Sequence, residues 1–280
     1  MTLSEIRNLL RQRILVIDGA MGSLIQEYGL TEEDFRGSRF ANHPMPIKGN
    51  NDVLVLTQPK VIEEIHERYL KAGADIIETN SFSGTRISQA DYGLESAVYD
   101  MNVAAAQIAR RIADRYSTAE KPRLVAGSMG PTNKTASMSP DVNNPGYRAI
   151  TFKELAEAYA EQVRGLIDGG ADILLMETIF DTLNTKAALF AAQQVLAEKN
   201  MPDFPIMLSA TIADKNGRTL AGQTVPAFLN AVRHVDLLSV GLNCSFGARD
   251  MMPYIKLMGE NASCFVSAYP NAGLPNQFGQ

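Results

Sequence analysis

Residues 170–178 read Gly170-Ala171-Asp172-Ile173-Leu174-Leu175-Met176-Glu177-Thr178, and residues 73–79 read Gly73-Ala74-Asp75-Ile76-Ile77-Glu78-Thr79. Each copy closes a helical pattern, opens an apolar run and leads to the pair Glu-Thr. The glycines stand where a helix is expected to end, and each apolar run is short enough to be a strand. We infer that one helix–strand unit has been used twice in this chain.

The helices predicted before these two runs carry start and stop signals. The first is predicted to begin at Pro59, a favoured first helical position, and to end at Gly73. The second is predicted to begin with the capping box Thr151-x-x-Glu154 and to end at Gly169-Gly170. A further amphipathic helix is predicted at the N-terminus, so helices and apolar runs alternate along the chain.

Seven apolar runs of strand length occur in the chain. They are apolar throughout, which is typical of strands that are buried on both faces of a parallel sheet covered by helices. Polar residues gather at their C-terminal ends, which favours an α/β fold of the (β/α)8 TIM-barrel type over a doubly wound sheet, although periodicity alone does not separate the two. The runs are Ile14–Ile17, Asp75–Ile77, Arg123–Ala126, Ile173–Met176, Ile206–Ala210, Leu237–Leu242 and Cys264–Ala268.

The strand count falls one short of a closed barrel, which has eight strands. An eighth strand would be expected roughly 30 residues beyond Asn271, given the spacing of the earlier units, and the printed sequence stops at Gln280. We therefore expect residues 1–280 to form one barrel domain, incomplete at its C-terminus, with about seven of the eight βα units. In such an open barrel the first and last strands would be exposed edges that invite association.

Composition restricts the class of function. The 280 residues are 45% hydrophobic, carry a net charge of −5 and contain no basic run, so the electrostatic footprint of a nucleic-acid binder is missing. No stretch approaches about 18 uninterrupted apolar residues, and the N-terminus lacks the cationic start of a signal peptide. The two cysteines give no disulfide framework. These features predict a cytoplasmic protein with a small-molecule partner and no membrane or nucleic-acid partner.

Acidic residues follow three of the apolar runs. Asp18-Gly19 follows the first run, and the two repeat copies end in Glu78-Thr79 and in Glu177. Each residue alone could be part of a strand-to-helix turn or a solvated strand end, and the dinucleotide pattern Gly-x-Gly-x-x-Gly is absent. Because the carboxyl ends of parallel strands meet at one face of a barrel, the three carboxylates are expected to converge there. Together they would bind an ammonium group, such as that of an amino acid.

Gly241-Leu242-Asn243-Cys244 places an amide and a thiol side by side at the end of the sixth run. A buried cysteine is more often a small core residue than a ligand. The adjacent Asn243 and the following glycine loop favour a functional role for Cys244. Cys264 instead begins its run, about 20 Å from the strand ends at roughly 3.3 Å per residue, and is predicted to belong to the core.

Several common catalytic arrangements are missing. His43, His66 and His234 fit no zinc spacing, and His66, within a helical pattern, is predicted to have a surface role. The sequence has no Ser-His-Asp set and no Gly-x-Ser-x-Gly elbow, and no lysine ends a strand to form a Schiff base. These absences exclude the hydrolase and aldolase interpretations.

Several segments resemble the homocysteine-binding module of the cobalamin-dependent methionine synthases, in the homocysteine S-methyltransferase family. The resemblance spans essentially the whole chain. The stretch from Gly130 to Asp141 favours this branch over relatives that use betaine or S-methylmethionine. The segments are Ile17–Gly22, Gly73–Asn80, Gly130–Asn133 with Ser139–Val142, Glu177–Thr178, Gly241–Cys244 and Pro270–Pro275.

The resemblance implies a site and a chemistry. Cys244 would be one of three thiolates that hold a zinc ion, with the sulfur of homocysteine as the fourth ligand, deprotonated and ready to attack a methyl group. Asp18 and Glu177 would hold the substrate amino group, and the backbone around Gly19 and Thr79, with Asn243 beside the metal, would fix the rest. The implied methyl donor is methylcobalamin, recharged from methyltetrahydrofolate. Downstream folate- and cobalamin-binding modules would carry both.

The printed sequence departs from the family pattern at one point. The other two zinc ligands of the family are an adjacent Cys-Cys pair after Gly-Gly at the end of the eighth strand, which the sequence does not reach. With one thiolate the chain is expected to bind zinc weakly or not at all and to lack turnover by itself. Two alternatives stay open: a homocysteine S-methyltransferase that uses another methyl donor, and a catalytically silent fragment that only binds an amino acid.

Overall fold

The computed structural model describes residues 1–272. Its α-helices are α1 (Leu3–Gln12), α2 (Met21–Gln26), α3 (Glu32–Arg36), α4 (Leu54–Thr57), α5 (Pro59–Ala72), α6 (Arg86–Gln89), α7 (Val98–Tyr116), α8 (Phe152–Asp168), α9 (Thr182–Glu198), α10 (Val225–Val232) and α11 (Ala248–Asn261). Its strands are β1 (Ile76–Glu78), β2 (Leu124–Met129), β3 (Ile173–Ile179), β4 (Ile206–Ala210), β5 (Ser239–Gly247) and β6 (Phe265–Asn271). Short 3₁₀ helices lie at Asn51–Val53, Ala90–Tyr92 and Glu95–Ala97. No helix in this part of the chain is long and apolar enough to cross a membrane.

The six strands form one parallel sheet in the order β1-β2-β3-β4-β5-β6. Neighbours in the sheet are also neighbours in the chain, and helices lie between successive strands, as repeated βα units require. The register pairs Ile76 with Leu124 and Ala126 with Ile173. The parallel α/β architecture predicted from the continuous apolar runs is therefore confirmed for these six strands.

Alternate strand residues face two different apolar layers. On one face, Val125, Leu174 and Leu208 are fully buried in the main core beside the helices. On the other face, inward-pointing residues of β1 to β4 meet in a single cluster with Leu3 and Ile6 of α1. Because side chains of successive strands meet in one cluster, the sheet is curled into part of a barrel, and α1 closes its N-terminal end.

The first predicted strand, Ile14–Ile17, does not become a strand of the sheet. It forms one isolated parallel bridge, between Ile17 and Ile76. The amide of Val16 donates to the side chain of Asp75 at 2.9 Å rather than to a backbone carbonyl, so a regular ladder cannot extend through it. The structure thus has six strands where the sequence predicts seven, with the first run extended beside β1.

Every strand except β4 ends later than predicted, and β1, β3 and β5 thereby include candidate site residues. β3 continues to Ile179 and β5 to Gly247, so Glu177 and Cys244 lie within strands rather than after them. The register shifts near both ends, after Met176 in β3 and after Asn243 in β5. Such bulged strand ends commonly redirect a side chain toward a site.

The inward face is open between the first apolar run and β6. Ile14, Val16 and Val266 expose 85%, 54% and 37% of their surface, and they line a groove of about 480 Å³. Within residues 1–272 no strand pairs with the outer edge of β6. This agrees with the expectation that an open barrel leaves its first and last strands as exposed edges.

The predicted helix signals are present in the structure. α5 begins at Pro59 and ends at Ala72, and it is capped by Gly73, whose φ of 113° is in the left-handed region that glycine adopts readily. α8 begins with the predicted capping box, in which Thr151 and Glu154 exchange both hydrogen bonds. The N-terminal helix is α1, which has a capping box of its own.

His66 is buried, so the prediction of a surface role is wrong. Its exposed fraction is 0%, and it lies on the side of α5 that also buries Ile62 and Ile65. Neither ring nitrogen has a hydrogen-bond partner within the described residues. Burial lowers the pKa of His66 to about 4, so at neutral pH the ring is uncharged and packs as a small aromatic side chain.

Asp75, in the first repeat copy, ties the N-terminal segment to β1. Its side chain is 2% exposed and accepts two hydrogen bonds from Arg13, at 2.8 and 2.9 Å, and one from the amide of Val16. Burial raises the pKa of Asp75, but the Arg13 guanidinium and the Val16 amide outweigh it, so the net pKa is below the ordinary value. In the second copy Asp172 accepts from Arg110 in the same way, which gives the repeated aspartate a structural role.

Replacing Asp75 by asparagine is expected to lower the free energy of unfolding at pH 7 by about 2 kcal/mol, because charged hydrogen bonds to Arg13 are lost. The pKa of Asp75 is lowered in the fold, so this contribution is present above the ordinary pKa and disappears as the pH falls. Urea unfolding at pH 7 and pH 3 measures the difference. The control is Asp236→Asn, because Asp236 is 75% exposed where it pairs with Arg7; this change is expected to cost less than about 0.5 kcal/mol. Equal losses for the two variants would contradict the prediction.

Candidate active site

A cavity of about 760 Å³ lies at the carboxyl ends of the strands. Small-molecule sites in proteins occupy roughly 300 to 1,000 Å³, so the cavity has the size of a ligand site. Its walls bring together residues from β1, β2, β3, β5 and β6 and from the loops after the first apolar run and before α4. The residues singled out from the sequence that line it are Asp18, Gly19, Glu78, Thr79, Glu177 and Cys244.

Asp18 and Glu78 are carboxylates with incomplete hydrogen bonding. One oxygen of Asp18 accepts from the amide of Glu78 at 3.0 Å, while Oδ1 of Asp18 and Oε1 of Glu78 are buried and have no partner within the described residues. Burial, reinforced by the charge of Glu177, raises the pKa of both groups well above the ordinary range. The two side chains therefore lack a cation or a proton donor that a ligand could supply.

Glu177 is bonded differently from the other two carboxylates. It is 6% exposed; its Oε1 accepts from the hydroxyl of Ser128, and its Oε2 accepts from the hydroxyl of Tyr269 at 3.3 Å. Burial raises the pKa of Glu177, and the hydrogen bonds from Ser128 and Tyr269 oppose that rise. Both carboxylate oxygens thus have protein donors.

The cavity has a strongly one-sided charge distribution. Among the described residues that line it there is no lysine, arginine or histidine, so no basic side chain on the wall neutralises Asp18, Glu78 and Glu177. Desolvated carboxylates are stabilised by a cation that enters with the ligand. The arrangement therefore suits a ligand with an ammonium group, as the sequence predicts.

Asn243 does not line the cavity. It is 0% exposed, its oxygen accepts from the amide of Thr178 and the hydroxyl of Ser209, and its amide group donates to Oγ1 of Thr178 and to the sulfur of Cys244 at 3.0 Å. The hydrogen-bonding capacity of the side chain is therefore used within the protein. Asn243 acts on the cavity through Cys244, whose sulfur it orients.

The backbone beside Cys244 is strained. Thr178, Cys244 and Ser245 have φ angles of 54°, 58° and 62°, in the left-handed region that residues with a Cβ seldom adopt. Such conformations cost energy and persist where surrounding contacts enforce them, commonly at functional sites. Here the hydrogen bonds between Thr178 and Asn243 join the bulged ends of β3 and β5.

Gly19 and Thr79 are tied to the protein around them. A Cβ on Gly19 would lie 3.0 Å from the hydroxyl of Tyr69, so this tyrosine limits the space at Gly19. The hydroxyl of Thr79 accepts from the amide of Ser128 at 2.9 Å and shares a hydrogen bond with the hydroxyl of Ser81. Both residues still form part of the cavity wall.

The described residues contain no group of three or more His, Cys, Asp or Glu side chains arranged to hold a metal ion. Cys244 presents one sulfur to the cavity. Cys264 stands just before β6, at the opposite ends of the strands, where it packs against the main core as predicted. Residues 1–272 therefore do not by themselves form the tetrahedral zinc site that the resemblance implies.

Several residues of the cavity wall were missed from the sequence, among them Ser128, Tyr269 and Asp52. Ser128 and Tyr269 lie near the ends of β2 and β6, so the rule that parallel strand ends meet could have included them. Asp52 lies in a 3₁₀ helix before α4 and follows no strand. No local pattern connects it to the site.

Asp52 is 6% exposed, and its Oδ1 accepts from the amide of Ser83 at 2.8 Å. Burial raises the pKa of Asp52 to about 7. Because this value lies above the ordinary one, the contribution of Asp52 to stability is largest in acid and is lost as the pH rises through about 7.

Asp52→Asn is therefore expected to raise the free energy of unfolding at pH 8 by at least about 1 kcal/mol relative to the parent, and to change it little at pH 4. The neutral amide can still accept from Ser83 without the cost of a buried charge. Chemical unfolding at the two pH values measures this. The exposed Asp203→Asn is the control and should change the unfolding free energy by less than about 0.5 kcal/mol at both. A variant that is less stable than the parent at pH 8 would show that the buried charge of Asp52 does not destabilise the protein.

Comparison with known families identifies the group to which this architecture belongs. The model of the homocysteine S-methyltransferase family matches residues 15–280. The chain belongs to the homocysteine S-methyltransferase family. The match includes each of the candidate site residues from Asp18 to Cys244, so the acidic cavity lies within the part of the chain that defines the family.

Solved structures share the fold of this family member. The homocysteine methyltransferase MmuM from Escherichia coli, in its metallated form, matches with a TM-score of 0.73 and 22% sequence identity, over 96% of this chain and 88% of that one. Its oxidized form matches with a TM-score of 0.72 and 23% identity, over 96% and 86% of the two chains. Its apo form matches with a TM-score of 0.68 and 22% identity, over 95% and 85%. At these identities the matches establish a common fold.

Proposed function

We propose that the chain binds homocysteine in the cavity at the strand ends and presents its sulfur for methylation, giving methionine. The observation that carries the proposal is the set of three carboxylates, Asp18, Glu78 and Glu177, in a cavity whose described wall has no basic side chain and contains Cys244. An amino acid with a thiol has the complementary groups. Its ammonium group would pair with the carboxylates while its sulfur lies toward Cys244.

The residues of the chain would act mainly by binding and orientation. Bringing a nucleophile into a fixed position relative to its partner removes much of the entropic cost of the reaction. In this proposal Asp18, Glu78 and Glu177 hold the amino group, and Gly19 and Thr79 form the adjoining wall. Asn243 orients the sulfur of Cys244 and is not itself a contact of the substrate.

The metal is proposed as zinc, with Cys244 as one ligand. Residues 1–272 supply only this thiolate, so the remaining protein ligands would have to come from outside the described residues. Bound zinc would supply a stable thiolate form of the substrate sulfur. The metallated form reported for MmuM is a property of that protein, and it supports a test for metal in this one.

The methyl donor is proposed as methylcobalamin, carried by downstream cobalamin- and folate-binding modules of a methionine synthase in the cytoplasm. This part of the proposal rests on the sequence resemblance, above all on the stretch from Gly130 to Asp141. A homocysteine methyltransferase with another donor remains the competing candidate. Both candidates have the same homocysteine site, and they differ in the methyl donor from which methionine is formed.

The test has two measurements. Each is made on residues 1–280 and on the longest natural polypeptide that contains them. Calorimetry with L-homocysteine measures binding, and mass spectrometry measures bound zinc and the methionine formed from methylcobalamin or from a sulfonium or betaine donor. Methionine from methylcobalamin supports the proposal in full, and methionine from another donor supports the competing candidate. Homocysteine binding without zinc or methionine in either polypeptide would leave a silent amino-acid-binding protein. Absence of homocysteine binding in both would refute the proposed function.

A further inference from the structure

Asp18, Glu78 and Glu177 are three of the four carboxylates on the cavity wall, and they are not equivalent. Asp18 and Glu78 each have one buried oxygen without a partner in residues 1–272. Glu177 has a hydroxyl donor on each oxygen, from Ser128 and from Tyr269. Hydrogen bonds that point at a carboxylate favour its charged form, and they hold it in one orientation. Glu177 is therefore the carboxylate of this group that the protein prepares as a fixed negative charge.

The two donors reach Glu177 from opposite sides of the curled sheet. Ser128 belongs to β2, the neighbour of β3, and is 2% exposed. Tyr269 belongs to β6, three strands further along the sheet, and is 92 residues from Glu177 in the chain. The contact between Tyr269 and Glu177 thus exists only because the sheet is curled.

Tyr269 is suited to be a permanent donor. Burial and the charge of Glu177 raise the pKa of Tyr269, so its hydroxyl keeps its proton. The ring also lines both the site cavity and the groove beside Ile14 and Val16. Two roles are therefore open to this side chain: the ring separates two spaces, and the hydroxyl acts on Glu177.

We propose that the hydroxyl of Tyr269, together with that of Ser128, positions Glu177 as the ion-pair partner of the substrate ammonium group. This inference rests on the proposed function. Tyr269 is then a positioning residue that acts through Glu177, and the selectivity for ligands with an amino group depends on it. The hydroxyl contributes nothing to a ligand that lacks the amino group.

The test combines a change in the protein with a change in the ligand. Tyr269→Phe keeps the ring and removes the hydroxyl, and 4-sulfanylbutanoic acid is homocysteine without its amino group. Calorimetry on the full chain measures the dissociation constants of both ligands for the parent and the variant. The constant for homocysteine is expected to rise about tenfold in the variant, while that for the analogue changes less than about twofold.

Two further variants complete the design. Ser128→Ala removes the second donor and is expected to act in the same direction on homocysteine alone. Tyr254→Phe is the matched control, because the hydroxyl of Tyr254 donates to the backbone carbonyl of Lys215 at an exposed position. It should leave both constants unchanged.

The outcomes separate the inference from the proposed function. If Tyr269→Phe weakens the binding of both ligands equally, Tyr269 acts only as part of the cavity wall, and the inference is overturned. Unchanged binding of both ligands would overturn it as well. If neither the parent chain nor the longest natural polypeptide that contains it binds homocysteine, the proposed function fails and the inference fails with it. Homocysteine binding in the parent with no ligand-dependent effect in the variants refutes the inference alone.

Discussion

Cys244→Ala is expected to lower zinc affinity and the rate of homocysteine methylation by more than about 100-fold in the natural polypeptide that contains this chain. Altering residues that merely support a metal ligand costs about 10- to 100-fold, and removal of a ligand should cost more. Within residues 1–272 Cys244 is the single thiol on the cavity wall, and Asn243 fixes its sulfur.

Cys264→Ala is the matched control for this prediction. Both cysteines are free, but Cys264 packs against the main core away from the cavity. Its removal should leave zinc content and rate within about twofold and cost at most a modest part of the stability. Zinc by mass spectrometry and initial rates with saturating methyl donor are the readouts. A Cys244→Ala protein with full zinc content and normal turnover would show that Cys244 is not a ligand of the metal.

Glu177→Gln is expected to raise the dissociation constant for homocysteine about 100-fold, because loss of one partner of a buried charge pair costs roughly 2 to 5 kcal/mol. The same change should not destabilise the free protein. Burial raises the pKa of Glu177, so the carboxyl contributes stability below its ordinary pKa and loses it as the pH rises through the raised value. The neutral glutamine avoids this loss at pH 8.

Calorimetry at pH 8 and urea unfolding at the same pH test the two parts separately. Glu198→Gln is the control, because Glu198 pairs with Arg164 at the surface, where its side chain is 45% exposed. Glu198→Gln should change neither the dissociation constant for homocysteine nor the free energy of unfolding appreciably. Loss of binding that is accompanied by an equal loss of stability would show that Glu177 is needed for folding rather than for the substrate.

The main lines of the fold could be predicted from the sequence because they depend on local patterns. Continuous apolar runs indicated parallel strands buried on both faces, and Pro59 and the Thr151 capping box marked helix starts that the structure confirms. The prediction of a full strand at Ile14–Ile17 was wrong, because the amide of Val16 donates its hydrogen bond to the carboxylate of Asp75. The prediction that His66 lies at the surface was also wrong, because its neutral imidazole ring is buried beside apolar side chains of α5.

The candidate site was predictable only in part. The rule that parallel strand ends meet brings Asp18, Glu78 and Glu177 to one place, and the structure has all three on one cavity. The rule did not indicate which side chains are free to meet a ligand. Asn243, chosen as a substrate contact, is saturated by protein partners. Tyr269 was not chosen, although it contacts Glu177.

The sequence by itself determined the repeated helix–strand order, the parallel direction of the strands and the acidic character of their ends. These follow from periodicity and capping over a few neighbouring residues. Only the tertiary structure decided which polar atoms pair, since Thr178 and Asn243 are 65 residues apart and Glu177 and Tyr269 are 92 apart. Such partners meet through the curl of the sheet, which depends on the packing of all the strands together. That packing leaves Asp18 and Glu78 with free oxygens and gives Glu177 two donors.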